Sequence, residues 1–148
     1  MELRRALLRQ GFAAGEVEAA LERLREQRYI DDRGFAARYA RSRLLHHGLG
    51  RHRLREDLRR KGVSRTLAEA GVAEALTDVP EQDVLDRLAR RYWKSRQRDA
   101  PEKRARRLYI YLIRRGFPAT LILERFRALW PRYRSLLEGV EPLDVPDE

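Results

Sequence analysis

Leucines recur at a fixed spacing before three glycines along the chain, Gly11, Gly62 and Gly116. The leucines that stand eight and four residues before each glycine are Leu3 and Leu7, Leu54 and Leu58, and Leu108 and Leu112. Leucines at this spacing form an apolar stripe on one face of an α-helix. Because glycine adopts the left-handed conformation without a steric penalty, it is the usual residue just past a helix end. The pattern predicts three similar helices that each end at a glycine.

The residues after each glycine predict a second helix. The apolar positions one, six and ten residues after the glycine are Phe12, Val17 and Leu21, then Val63, Ala68 and Val72, then Phe117, Ile122 and Phe126. Ser64 or Thr66 offers an N-cap oxygen in the middle copy, and Pro118 stands where a first-turn proline is tolerated in the third. Each copy is therefore expected to be a helix–glycine–helix unit.

A further amphipathic helix is expected between the copies. Tyr29-Ile30-Asp31-Asp32 precedes an apolar face that runs from Phe35 to Leu44, and either aspartate is a suitable cap. Gly48-Leu49-Gly50 ends this helix, and Pro80 opens a matching stretch that contains Tyr92 and Trp93. Helical spacing favours core packing over base stacking for these two aromatic residues.

The predicted fold is therefore all-α, with tandem repeats of a three-helix module forming an elongated, curved array. The modules are placed at residues 1–50, 51–100 and 101–137. Residues 138–148 carry five acidic side chains and no Lys or Arg, and they are expected to form a disordered acidic tail.

Charge adds a prediction about partners. The chain has 33 Lys and Arg against 23 Asp and Glu, and residues 1–137 alone carry +15. Such a charge favours a polyanionic partner, either nucleic acid or an acidic protein surface, and the alternative is a basic surface that serves only solubility. The chain has no Cys, which excludes disulfides, and no signal core or apolar run of about 20 residues. The expected location is the cytoplasm, with no membrane attachment.

No motif predicts catalysis, a cofactor or a metal site. His46, His47 and His52 are close in sequence, but adjacent histidines on a helix point apart. Gly48-x-Gly50 lacks the third glycine and the preceding strand of a phosphate-binding loop. Asp31 and Asp32 are interpreted as a helix cap and not as a pair of catalytic carboxylates. The protein is therefore expected to act by binding and not as an enzyme.

Basic residues supply the candidate binding surface. The segment from Arg87 to Arg98 has no acidic residue, whereas Glu56 and Asp57 partly neutralise the segment before it. Cations on successive helices can follow a phosphate backbone or an acidic groove, and the alternative is a solvated face neutralised at helical spacing. The residues expected to contact nucleic acid or an acidic protein surface are Arg43, Arg51, Arg53, Arg59, Arg60, Lys61, Arg90, Arg91, Lys94, Lys103, Arg104, Arg107 and Arg115.

Several of these segments together resemble the RecX family of regulators of the recombinase RecA. The resemblance rests on Tyr29-Ile30-Asp31-Asp32 with Phe35-Ala36 and Tyr39, on Arg41-Ser42-Arg43, on Gly48-x-Gly50, on Leu54, Leu58 and Arg59 through Val63, and on Lys103, Leu112 and Arg115-Gly116-Phe117. It spans residues 3–129. The chain departs from the family at Arg51, where Pro is frequent, and at Gly34, where Arg is usual. The family also usually has a helix before the first glycine module, so the first module is expected to lack its leading helix.

The resemblance implies a protein without enzymatic activity. It implies binding to RecA and to the RecA filament on single-stranded DNA, with inhibition of recombinase, ATPase and coprotease activity. A monomer with weak direct DNA binding is expected. Two alternatives remain open, a stand-alone helical nucleic-acid-binding protein and a helical-repeat scaffold for an acidic partner.

Overall fold

Helices form all the regular structure of residues 2–26 and 31–138, the part of the chain that the computed structural model describes. The helices are α1 (Glu2–Arg9), α2 (Ala14–Glu26), α3 (Asp32–Ser42), α4 (Arg51–Arg60), α5 (Arg65–Asp78), α6 (Glu81–Ser95), α7 (Pro101–Arg114) and α8 (Ala119–Leu129). A π turn at Arg43–His47 follows α3, and a 3₁₀ segment at Pro131–Leu137 follows α8. The prediction of an all-α repeat is confirmed. Tyr29, Ile30 and the acidic tail beyond Glu138 lie outside the described residues.

The three glycine turns have the same geometry. Gly11, Gly62 and Gly116 have φ values of 92°, 86° and 84°. In the middle copy the Val63 N–H donates to the Leu58 carbonyl at 3.1 Å. This bond spans five residues along the chain and is the 6→1 bond of the Schellman motif. The equivalent bonds join Phe12 to Leu7 at 3.4 Å and Phe117 to Leu112 at 3.2 Å. The prediction that these glycines end helices in the left-handed conformation is confirmed.

Side-chain caps begin two of the helices. The Gly34 N–H donates to Asp31 Oδ1 at 2.8 Å, so Asp31 and not Asp32 is the cap of α3. The Leu67 N–H donates to Ser64 Oγ at 3.3 Å, which selects Ser64 over Thr66 at the start of α5. Gly48, with φ of 60°, ends the π turn as the sequence indicates.

The helices pack in groups of three. In the first group, α5 packs on both α3 and α4, and in the second group α6 packs on α7 and α8. A continuous core joins both groups, from Ala36 to Leu137, whereas Val17 and Leu21 are buried where α1 and α2 pack together. The packing thus divides the chain before α3 and after α5, and not at the expected boundaries 1–50, 51–100 and 101–137. Each leading helix packs with the glycine-ended pair that follows it. In the structure the second module is therefore α3–α5 and the third module is α6–α8.

Backbone groups connect the two groups of helices. The Gly50 N–H donates to the Arg115 carbonyl at 2.7 Å, and the His52 N–H donates to the Gly116 carbonyl at 3.0 Å. The first amides of a helix and its last carbonyls have no partner within the helix. The start of α4 therefore satisfies the end of α7, and the opposite ends of two helix dipoles meet. This contact is called the helix-end junction below.

Glycine is required at this junction because the backbones approach closely. A Cβ atom at Gly50 would lie 2.4 Å from the Gly116 carbonyl carbon, and a Cβ at Gly116 would lie 2.4 Å from the Arg53 amide nitrogen. Gly50 has φ of −80°, which any residue adopts, so the contact alone explains the need for glycine there.

We predict that Gly50→Ala lowers the free energy of unfolding by about 3 kcal/mol, because rigid backbone must move to admit the new methyl group. Urea denaturation followed by circular dichroism measures this change. Gly15→Ala is the control, since a methyl group added there would have no atom within 4 Å and glycine is the poorer helix former. Equal stability of Gly50→Ala and the parent would contradict the role assigned to the junction.

Candidate functional site

Arg51 is held by an acidic residue of the next module. Its amide donates to Glu81 Oε1 at 2.7 Å, and its Nε donates to Glu81 Oε2 at 2.6 Å. Glu81 is 5% exposed, at the start of α6. A proline at position 51 has no amide hydrogen to donate, so arginine here adds two bonds to the buried carboxylate. The guanidinium of Arg51 thus serves the contact between modules and does not present an unpaired charge.

Two of the five arginines of α4 are paired with carboxylates of their own helix. Arg53 approaches Glu56 at 3.1 Å and Asp57 at 3.3 Å, and Arg60 approaches the same two carboxylates at 2.8 Å and 3.2 Å. Such pairs at helical spacing fit the sequence interpretation of a solvated face. Arg59 lies on the exposed side of the same helix. Arg107 is similarly paired with Asp99 at 3.0 Å.

Arg104 is buried, which corrects its assignment to an exposed binding surface. It is 8% exposed, and its guanidinium carbon lies 4.2 Å from the centroid of the Trp93 ring. Leu108 and Leu112 follow it at four-residue intervals, so Arg104 lies on the core face of α7. That spacing already indicates a core position, although Arg104 stands within a run of basic residues.

Trp93 belongs to an aromatic cluster of the third module. Its ring lies 4.7 Å from that of Trp130, 5.7 Å from that of Phe126 and 5.6 Å from that of Tyr133. Tyr92 stacks on Tyr111 with a centroid distance of 4.9 Å. Both Tyr92 and Trp93 pack against the buried core, in agreement with the interpretation of these residues as core contacts.

Three other predicted cations lie against tyrosine rings. The guanidinium carbon of Arg43 is 5.2 Å from the Tyr39 centroid, and Lys61 Nζ is 5.4 Å from the same ring. Arg115 lies over Tyr111 at 5.0 Å and donates to the His47 carbonyl. These three side chains are half-buried.

The remaining four predicted cations form the α6–α7 basic surface, defined by Arg90, Arg91, Lys94 and Lys103. All four are exposed, and none has a carboxylate partner among the residues that the structure describes. Lys94 and Lys103 are the chain neighbours of Trp93 and Arg104, whose contact brings the end of α6 beside the start of α7. Arg106, which is not among the predicted contact residues, is likewise exposed on α7.

An exposed isoleucine lies on the same side of α7 as Lys103. Ile110 is two helical turns after Lys103 and 44% exposed. An apolar side chain among cations is a feature of protein contacts more than of contacts with a bare polyanion. The surface therefore combines charge with a small apolar element.

The histidines show no common site. His46 and His47 are exposed at the end of the π turn, whereas His52 is half-buried in α4. Within residues 2–26 and 31–138, no group of three or more His, Cys, Asp and Glu is arranged to hold a metal ion. No helix in these ranges has the length and apolar character needed to cross a bilayer.

Comparison with known proteins decides the family. Residues 31–72 match the family model for the second three-helix domain of RecX, and residues 80–124 match the model for its third three-helix domain. These ranges correspond to α3–α5 and to α6–α8. The chain belongs to the RecX family.

Individual relatives agree with this assignment. The chain is 38% identical to the regulatory protein RecX of Mycolicibacterium vanbaalenii, across 83% of this chain and 70% of that protein. It is 34% identical to the regulatory protein RecX of Trichlorobacter lovleyi, across 84% and 81%. The crystal structure of RecX from Lactobacillus salivarius superposes with a TM-score of 0.79 at 19% identity, covering 86% of this chain and 82% of that one, and it supports the fold. The chain is thus a RecX family regulatory protein built as a helical repeat.

We predict that Glu81→Ala lowers the free energy of unfolding by about 3 kcal/mol, because it leaves the Arg51 amide and guanidinium without their buried acceptor. Thermal and urea denaturation measure the change. Asp83→Ala is the matched control, since Asp83 is also an acid in the first turn of α6 but is exposed. Equal losses in the two variants would show that Glu81 acts only through the helix dipole.

Proposed function

We propose that this member of the RecX family binds RecA and its filament on single-stranded DNA and inhibits the recombinase, ATPase and coprotease activities of RecA. Membership of the RecX family is the observation that carries this proposal. The protein acts by binding and not by catalysis, as a cytoplasmic monomer.

The α6–α7 basic surface is proposed as a contact with the filament. Its four cations are exposed and lack carboxylate partners among the described residues, so an incoming acidic surface does not have to break existing ion pairs. Ile110 adds apolar area that a protein partner can bury. Both features favour the filament, which contains protein, over nucleic acid alone.

The second helix of the middle copy, α5, gives little support to a stand-alone DNA-reading role. In α5 the single basic residue is Arg65, at the first position, and it pairs with Glu69 at 3.0 Å. A recognition helix that enters a groove needs side chains that reach phosphates and base edges. The four cations of the α6–α7 basic surface lie on the leading helix and on the first helix of the glycine-ended pair, and not on a second helix.

We predict that the protein inhibits the DNA-dependent ATPase of RecA at stoichiometric amounts. Arg90→Glu with Lys94→Glu is expected to raise the concentration for half-inhibition at least about tenfold, or about 1.4 kcal/mol, by reversing charge on the proposed contact. Hydrolysis of ATP by RecA on single-stranded DNA is the measurement.

The control makes the same charge change elsewhere. Arg127→Glu with Arg134→Glu alters exposed cations on α8 and the 3₁₀ segment, outside the proposed contact. Absence of inhibition by the parent protein would contradict the proposed function. Equal weakening by both double variants would contradict the assignment of the surface but not the function.

The acidic tail is proposed to compete with the filament for basic residues. Leu137, the residue before the tail, is buried against α7 and α8 in the third module. We predict that removal of residues 138–148 tightens binding to the RecA filament at low salt, because five acidic side chains no longer oppose the partner. Titration of labelled filament at low and high salt tests this. Unchanged affinity at low salt would contradict a shielding role.

A further inference from the structure

The second module holds two cations against one tyrosine. Arg43 and Lys61 lie 5.2 Å and 5.4 Å from the centroid of Tyr39. Arg43 directly follows the last residue of α3, and Lys61 directly follows the last residue of α4. Two helix ends therefore deliver their cations to the same ring.

The third module repeats this arrangement. Arg96 lies 5.6 Å from the centroid of Tyr92, and Arg115 lies 5.0 Å from that of Tyr111, while the two rings stack at 4.9 Å. Arg96 directly follows α6, and Arg115 directly follows α7. In both modules the first cation stands four residues after its tyrosine, and the second stands immediately before the left-handed glycine. We call these sets the aromatic–cation clusters.

The clusters differ from the ion pairs of α4 in one respect. Arg53 and Arg60 are fixed by carboxylates, which also cancel their charge. Arg43, Lys61 and Arg96 have no carboxylate partner among the described residues and are positioned by the tyrosine rings instead. A cation–π contact holds the side chain in place without cancelling its charge.

Such cations are suited to bind anions. Arginine has five N–H donors and lysine has three. When the face of a guanidinium lies on an aromatic ring, the N–H donors at its edge remain available to an anion. Because the side chains are already positioned, they lose less conformational entropy when they bind an oxyanion. Arg115 already donates one N–H to the His47 carbonyl, and that bond further fixes its guanidinium.

We propose that the two aromatic–cation clusters each bind a backbone phosphate of a single-stranded nucleic acid. The same set of groups occurs in two successive modules, which fits a ligand with chemically identical groups along its length. Half-exposed aromatic rings beside cations are also the features that bind unstacked nucleotides. Phe35, 38% exposed with its centroid 5.8 Å from that of Tyr39, extends the first cluster with a flat apolar face.

The test uses DNA without recombinase. Fluorescence anisotropy of a labelled oligothymidylate is followed against salt concentration for the parent and for Arg43→Gln with Arg96→Gln, which removes one cation from each cluster. Each phosphate contact on a single strand contributes about 0.7 to the slope of log affinity against log salt, so loss of both contacts would make the slope shallower by about 1.4. Because Lys61 and Arg115 remain, the variant is expected to make the slope shallower by part of that value. The control is Arg127→Gln with Arg134→Gln, which makes the same change in net charge outside the clusters.

A second pair of variants tests the rings while all charges stay. Tyr39→Leu with Tyr92→Leu removes both positioning surfaces and is expected to weaken binding severalfold, whereas Tyr39→Phe with Tyr92→Phe keeps the rings and the affinity. Circular dichroism checks that each variant is folded. If the leucine variant fails to fold, the arginine variants decide alone.

Two results would overturn the proposal. One is an equal effect of the cluster and control arginine variants on DNA binding, which would reduce the clusters to general charge. The other is normal DNA binding by the cluster variant with loss of binding to poly-glutamate, which would identify a protein carboxylate as the ligand. Because recombinase is absent from both assays, neither result would contradict the proposed inhibition of RecA. Conversely, a failure of the protein to inhibit RecA would not contradict the proposal that the clusters bind DNA.

Discussion

Two helix ends that satisfy each other hold the second and third modules together. At the helix-end junction the first amides of α4 meet the last carbonyls of α7, with Gly50 and Gly116 in backbone contact. Unpaired backbone groups buried away from water are costly, so this contact fixes both the spacing and the relative orientation of the modules. Glu81 extends the same junction by accepting from the Arg51 amide. The continuous core depends on this geometry, because it places α6 against the π turn that follows α3.

The junction also engages two of the basic side chains that the sequence offers as binding residues. Arg51 and Arg115 are both drawn into it, one by a buried carboxylate and the other by the His47 carbonyl. Among the predicted contact residues, some are paired with carboxylates, some are held against aromatic rings, and four are left exposed on α6 and α7. The net charge of +10 therefore gives little indication of which cations are available to a partner.

Local features of the sequence could be predicted well. The left-handed glycines depend on a few neighbouring residues and on steric rules that hold in any fold. The same local rules narrow each cap to two candidates, and the structure selects Asp31 and Ser64. The role of Gly50 could not be predicted, because its φ is ordinary and its requirement comes from Gly116, a distant residue in the chain. The spacing from Arg104 to Leu108 indicates a buried position, but the surrounding run of basic residues favours an exposed one and led to the wrong prediction. The pairing of Arg51 with Glu81 required the tertiary structure.

The aromatic cluster of the third module gives the protein an intrinsic optical signal. Both tryptophans of the chain, Trp93 and Trp130, lie in this cluster with their rings 4.7 Å apart. Their emission and their coupled near-ultraviolet transitions therefore originate in one module. Fluorescence of the unmodified protein consequently reports on the packing of α6, α8 and the 3₁₀ segment, while α1 to α5 remain spectroscopically silent at the tryptophan wavelengths.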